Sequence, residues 1–250
     1  MILWEHPTVG QEYLLGCDPS LGRAAQSGDH SCIIIARREN PRRLVQVAEV
    51  YFRWPIGRVG EVISCLAREF CGDDNEPAMV HVERNLADSI LVALRYQEFP
   101  EHRLFQGKRE SDIDQAPSQD FFVQKTNKNS RLLVDTLYDY MDRDAFHIRS
   151  SDTLEEISSL ERDDRGNVST RGKDRVVAAM MVAIMDQDMP PFRGETMVVH
   201  AERECPSGVD EGQWRQMHGL PSRNAASPPS LPAISEWAPH DGLPVDLDGF

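Results

Sequence analysis

Apolar positions fall in blocks along the chain, and the spacing within each block predicts an element. EYLLGCD (12–18) is apolar up to its last residue and predicts a strand; SCIIIARR (31–38) predicts a second, with a continuous apolar run. RLVQVAEVYFRW (43–54) alternates Val45, Val47 and, beyond Ala48, Val50 and Phe52, which suits a third strand. The links are short and turn-rich, so the three are expected to form an antiparallel meander. IGRVGEVISCLAREF (56–70) spaces Val59, Val62, Ile63, Leu66 and Phe70 helically. AMVHVE (78–83) predicts a fourth strand and LADSILVALRY (86–96) a second helix. SRLLVDTLYDYM (130–141) predicts an amphipathic helix, AFHIRS (145–150) a short strand and DTLEEISSLE (152–161) another helix. DRVVAAMMVAIM (174–185) predicts the last helix, with Val176, Val177, Met180, Met181 and Ile184 on one face. From Pro190 the periodicity dissolves into Pro, Ser and Gly with an acidic tilt. The expected organisation is one α/β domain over 1–189 and a flexible tail over 190–250, with a short docking segment at 234–237. No internal repeat is visible.

Composition narrows the class. The 250 residues, 40% of them hydrophobic, suffice for one good core. No window approaches about 18 consecutive apolar residues, so no transmembrane helix is expected. The opening MILWEHPTVG carries acid and Pro where a signal peptide carries basic and then apolar residues. Five Cys at irregular spacing, with no CxxC, indicate neither zinc nor a disulfide framework; reduced core thiols of a cytosolic protein are expected. A net charge of −14 argues against wrapping nucleic acid over the whole surface, yet leaves room for a local basic rim. Basic residues bunch at Arg37, Arg38, Arg42 and Arg43, at Arg103, Lys108 and Arg109, and at Lys125, Lys128 and Arg131.

Two acids stand out against this pattern. Asp18 and Glu83 each end an apolar strand. Asp18 opens Asp-Pro-Ser, ordinary turn chemistry, so it either shapes a turn or is held on a rigid strand end as a metal ligand. Three strands, a helix, a fourth strand and further helices is the order of a ribonuclease H-like fold, a mixed β-sheet flanked by helices. There the first and fourth strands lie side by side, about 4.8 Å apart, and their terminal carboxylates converge. Converging carboxylates repel unless a cation sits between them, and hard oxygen ligands select Mg²⁺ or Mn²⁺. Asp174, at the start of the last apolar helix, is the natural third acid. An acid in a helix's first turn is also favoured by the dipole, which explains Asp174 without a metal.

At these residues the chain resembles a known family. YLLGCDPSLGRAAQSGDHSCIII looks like the first nuclease motif of the large terminase subunit of tailed bacteriophages: Asp-Pro-small-Gly followed by Gly-Asp. MVHVERNLADSILVAL is similar to the second motif, although Ala87 stands where Gly is common. VQKTNKNSRLLVDTL resembles the segment where a Thr-rich turn and a basic residue precede a long helix, and RGKDRVVAAMMVA the third acidic motif. The family usually shows paired Asp there; this chain has Lys173-Asp174, so Asp163 or Asp164 remains an alternative. Asn85 serves equally as a cap for the following helix.

The resemblance implies a ribonuclease H-like nuclease with two divalent ions, Mg²⁺ or Mn²⁺, held by Asp18, Glu83 and Asp174. Asp29 would be a supporting acid near the second ion, and Lys125, Lys128 or Arg131 would hold the DNA backbone. It implies cutting of concatemeric double-stranded viral DNA during genome packaging in the cytoplasm of the infected host. The implied partners are portal protein, the small terminase subunit and the ATPase part of the terminase. GNVSTRGKD (166–174) mimics a phosphate loop but puts five residues between Gly166 and Gly172 and Asp174 where Ser or Thr must reach Mg²⁺. No ATPase motor is therefore expected in this chain, which is read as an excised or separately encoded nuclease domain. Two other readings stay open: a Holliday-junction resolvase or transposase type of nuclease, and a non-catalytic prophage remnant or scaffold.

Overall fold

Strand β2 (Glu12–Asp18) lies at the centre of the architecture, antiparallel to β3 (Ser31–Glu39) on one side and parallel to β5 (Met79–Val82) on the other. β4 (Arg43–Phe52) pairs antiparallel with β3 and completes the meander. The outer edge of β4 takes two short strands, one of them within the short strand expected over 145–150. β1 (Ile2–Leu3) pairs with Glu49 and Ala48, and β6 (Phe146–His147) with Leu44 and Val45. Two residues cannot display an alternation, so β1 left no pattern to read and β6 is shorter than 145–150.

The computed structural model describes residues 1–21, 30–39, 42–72, 76–83, 86–106, 127–163, 168–170, 172–190 and 192. The chain divides into two units, Met1–Thr196 and Met197–Phe250, and the second lies outside the described residues. Among the described residues no helix is long and apolar enough to cross a membrane. Cys17, Cys32, Cys65 and Cys71 are unbridged.

The sheet runs β1-β4-β3-β2-β5. Beyond β5, Leu104 pairs parallel with Val80 as a single bridge, and the Phe105 N–H donates to the Val80 carbonyl at 2.8 Å. Counting from β2, the order is third, second, first, fourth, with a rudimentary fifth. That is the mixed sheet of the ribonuclease H-like fold. The pairing steps irregularly between Ile35 and Ala36, whose partners are Ala48 and Gln46, so Val47 is the extra residue of a bulge. This is why the alternation in β4 reads Val45, Val47 and then resumes only beyond Ala48.

Alternation assigns the two faces of the sheet. Tyr13, Leu15 and Cys17 face α1 (Ile56–Glu69), and the Tyr13 ring meets Phe70 edge-on at 5.3 Å. α2 (Ala87–Tyr96) packs on α1, where a Cβ at Gly60 would come within 2.5 Å of the Ala93 Cβ. Leu14, Gly16 and Asp18 face the other way, toward α5 (Asp174–Asp188). α3 (Asn127–Asp142) and α4 (Ser151–Ser158) cover α5 in turn; the Ser150 hydroxyl caps α4 by accepting from the Thr153 N–H at 3.2 Å.

α5 departs from the expected single apolar stripe. Every residue from Val176 to Asp186 is buried, because the helix has the sheet on one side and α3 and α4 on the others. Even Asp186 is enclosed, neutralised by Arg38 Nε at 2.6 Å and bonded by the Tyr140 hydroxyl at 2.7 Å.

Candidate functional site

The C-terminal ends of β2 and β5 meet at one edge of the α5 face. Cys17 is registered with Val82, and the Glu83 N–H donates to the Cys17 carbonyl at 2.9 Å, so the ladder extends one step past the strand. Asp18 and Glu83 therefore occupy neighbouring positions on adjacent parallel strands, about 4.8 Å apart. Alternation puts both on the side of Gly16 and His81, the side that packs α5. Glu83 is buried at 3% exposure and Asp18 half-buried. The thiol of Cys17 registers both charges: burial pushes it well up, and Asp18 and Glu83 push it further.

α5 brings a third acid to the same end. The helix runs antiparallel to β2, with Ala178 over Gly16, Met181 over His81 and Asp186 beside Arg38. Asp174 is four residues above Ala178, one helical turn, and so lies on the sheet side beyond Gly16. Its Oδ2 accepts the His30 N–H at 3.1 Å and lies 3.4 Å from the Tyr51 hydroxyl. The turn that follows Asp18 is tied down by Ser31, whose Oγ accepts the Ser20 N–H at 2.9 Å.

The three acids share one face and one end of the sheet, and their donors are all carboxylate oxygens, the set that suits a hard divalent cation. Among the described residues, however, no group of three or more His, Cys, Asp or Glu side chains lies close enough to hold a metal ion. Asp18 and Glu83 are sheet neighbours, whereas the Asp174 carboxylate is drawn toward β3 and β4 by His30 and Tyr51.

The other expected site residues divide in two. Arg131 is exposed on α3 and pairs with Asp135 at 3.5 Å, while Asp163 follows Arg162, which bridges to Val168. Asp29, Lys125, Asp164 and the side chain of Lys128 lie outside the described residues.

A cluster that sequence reasoning missed adjoins Asp174. The Tyr51 ring is stacked on one face by His30, with centroids 4.3 Å apart, and covered on the other by the Arg175 guanidinium at 3.8 Å. Arg175 is fixed by Glu49, Glu156 and Asp152, each at 2.9 Å. Burial opposes its charge, but the bonds to Glu49 and Glu156 outweigh that and hold its pKa up. Burial, then the Asp174 charge, push the Tyr51 phenol up to about 12, so it keeps its proton and donates. One signal was available: Glu49 interrupts an apolar strand, as Asp18 ends one. It is 2% exposed and accepts from Arg175, Gln46 and Thr153, which gives it a purely structural reason to be there.

No known family profile matches the chain, and no curated protein matches it. Among solved structures it is similar to the large terminase nuclease domain of Thermus phage P74-26. That similarity has a TM-score of 0.49 and 13% identity over 74% of this chain and 83% of that one. It is also similar to the large terminase nuclease domain of bacteriophage SPP1, solved with bound Mn. There the TM-score is 0.42 with 11% identity, over 76% of this chain and 100% of that one.

Proposed function

We propose that this chain is a metal-dependent DNA endonuclease that hydrolyses a phosphodiester. The observation that carries the proposal is the register of β2 and β5, which sets Asp18 beside Glu83 on the face where α5 begins with Asp174. Two carboxylates on adjacent strand ends, one of them nearly enclosed, repel each other unless a cation joins them.

Asp18 and Glu83 would hold Mg²⁺ or Mn²⁺ ions, with Asp174 completing the set and Asp29 in support. Bound as a pair, such ions lower the pKa of a water and stabilise the leaving 3′ oxygen of an in-line displacement. Asp18, on the central strand, would be one of the residues that hold them. The strands contribute rigidity: a ligand on a hydrogen-bonded ladder is held in direction without the entropy cost of ordering a loop. An ion held there would meet Glu83 in surroundings nearly excluded from solvent. Arg131, with Lys125 and Lys128, would meet the DNA backbone. Cleavage would leave a 5′-phosphate and a 3′-hydroxyl.

The motif order supports a finer reading: the chain cuts concatemeric double-stranded viral DNA during packaging, in the host cytoplasm. It would act beside a portal protein, a small terminase subunit and a separate ATPase part.

Supercoiled plasmid incubated with the purified chain tests the proposal. Nicking and linearisation are expected with Mn²⁺ or Mg²⁺ and not with chelator, and Asp18→Asn should leave the plasmid intact. Intact plasmid at high wild-type concentration, or an Asp18→Asn protein that cuts as fast as wild type, overturns it. Faster cutting of branched than of linear duplex would move the assignment to a junction resolvase.

A further inference from the structure

Among the described residues every arginine but Arg53 is held by the protein: most by carboxylates, and Arg42, Arg68 and Arg103 by backbone carbonyls. Arg53 is exposed and has neither. β4 is antiparallel to β3 and β3 to β2, so β4 runs parallel to β2 and ends where β2 ends. Asp18 is registered with Cys32 and Cys32 with Tyr51, one row across the sheet. Arg53 stands two residues beyond Tyr51. The Phe52 and Trp54 rings meet with centroids 4.8 Å apart, which puts both on one side of the chain. Arg53, between them, is left on the other, the side of Tyr51 and Asp18. Two strand spacings across and two residues along place its Cα about 12 Å from that of Asp18.

We propose that Arg53 binds a backbone phosphate of the DNA duplex a few steps from the bond that is cut. This rests on the DNA endonuclease reading and is independent of how ions are held among the acids. The chain has a net charge of −14, so a polyanion approaching it needs a local cation. A guanidinium already engaged by a carboxylate must release it before taking a phosphate, as Arg131 must release Asp135. Arg53 has nothing to release, and its planar fork matches two phosphate oxygens. Phosphates follow one another at about 3.4 Å of rise along a strand, so an arginine set this far from Asp18 meets a neighbour of the scissile phosphate.

Fluorescence anisotropy of a short labelled duplex, titrated with the full chain in chelator over a range of salt, tests the proposal on four proteins. Arg53→Gln should bind about tenfold more weakly than wild type at low salt, with the slope of log affinity against log salt reduced by about 0.9, one phosphate's worth. Its melting temperature should be unchanged, since the side chain holds nothing in the fold. Arg53→Lys, which keeps the charge, should recover most of the affinity and the full slope. Arg43→Gln is the contrast: it removes the same charge from the opposite end of the same strand and should bind like wild type. An Arg53→Gln chain that binds like wild type, or an Arg43→Gln chain that loses as much, overturns the proposal. So does a wild type that binds no duplex. In each of these cases the proposed function stands if wild type still cuts plasmid with Mn²⁺, and falls if it does not.

Discussion

Several acids of this chain are buried in or against its core, and the partner of each distinguishes its role. Glu49 and Asp186 each face an arginine, Arg175 at 2.9 Å and Arg38 at 2.6 Å, and are thereby satisfied. Asp18 and Glu83 face each other at neighbouring sheet positions. A charged residue in an apolar strand or helix was visible in the sequence in all these cases; its neighbours were not, because they come from elements far apart in the chain. His81, two residues before Glu83 and registered with Gly16, adds a titratable group. It is fully buried, its Nδ1 lies 3.1 Å from the Met181 carbonyl, and burial pushes its pKa down to about 4. Unfolded, it titrates near 6.5. Between those values the unfolded chain binds a proton that the folded chain does not, so this contribution is intact above about pH 6.5 and is lost as pH falls toward 4. His81→Asn keeps a donor near Nδ1 and does not titrate. From pH 7 to pH 5 wild type should lose about 2 kcal/mol more stability than this variant in urea unfolding. Parallel losses in the two proteins would show that the buried imidazole carries no such linkage.

Among the elements, α5 sets the geometry of the site, and its seat on the sheet is a glycine. A Cβ at Gly16 would overlap the Ala178 carbonyl oxygen and come within 2.8 Å of Val182 Cγ2. The obstacle is helix backbone, so α5 itself would have to lift. Gly16→Ala is expected to cost about 1–3 kcal/mol, the usual range for overpacking, and to reduce cleavage at temperatures where the protein stays folded, because Asp174 moves with the helix. Unchanged unfolding and unchanged cleavage would mean that α5 has slack over β2. The strands and helices were legible because their apolar periods differ and their lengths are ordinary. The burial of α5 on all sides was not, since a stripe of apolar residues reports one packed face and is silent about α3 and α4 on the others.

For the molecule as a whole, the boundary between core and tail is expected near Thr196, where the first structural unit ends. The boundary read from composition, after Met189, would remove an acceptor from the core: the buried Arg38 donates from Nη2 to the Pro190 carbonyl at 2.7 Å. A chain ending at Thr196 should melt and cut DNA like the full chain. One ending at Met189 should be less stable by about 1.5–3 kcal/mol, the worth of a hydrogen bond to a charged group. A Thr196 truncation that fails to fold would place essential packing beyond it. Element type, element order and the identity of the unusual acids were all carried by the linear chain, because periodicity and turn chemistry are local properties. From that order alone the mixed sheet with β2 beside β5 could be expected, as parallel strands need a helix between them and antiparallel ones do not. The pairing of Glu49 with Arg175, the sandwiching of Tyr51 and the side of the sheet shared by Asp18, Glu83 and Asp174 came only with the folded chain. Each depends on register and on a helix seated from more than a hundred residues away; a slip of one residue in the strands would have turned those side chains to the opposite face, and one in the helix would have rotated them by about 100°.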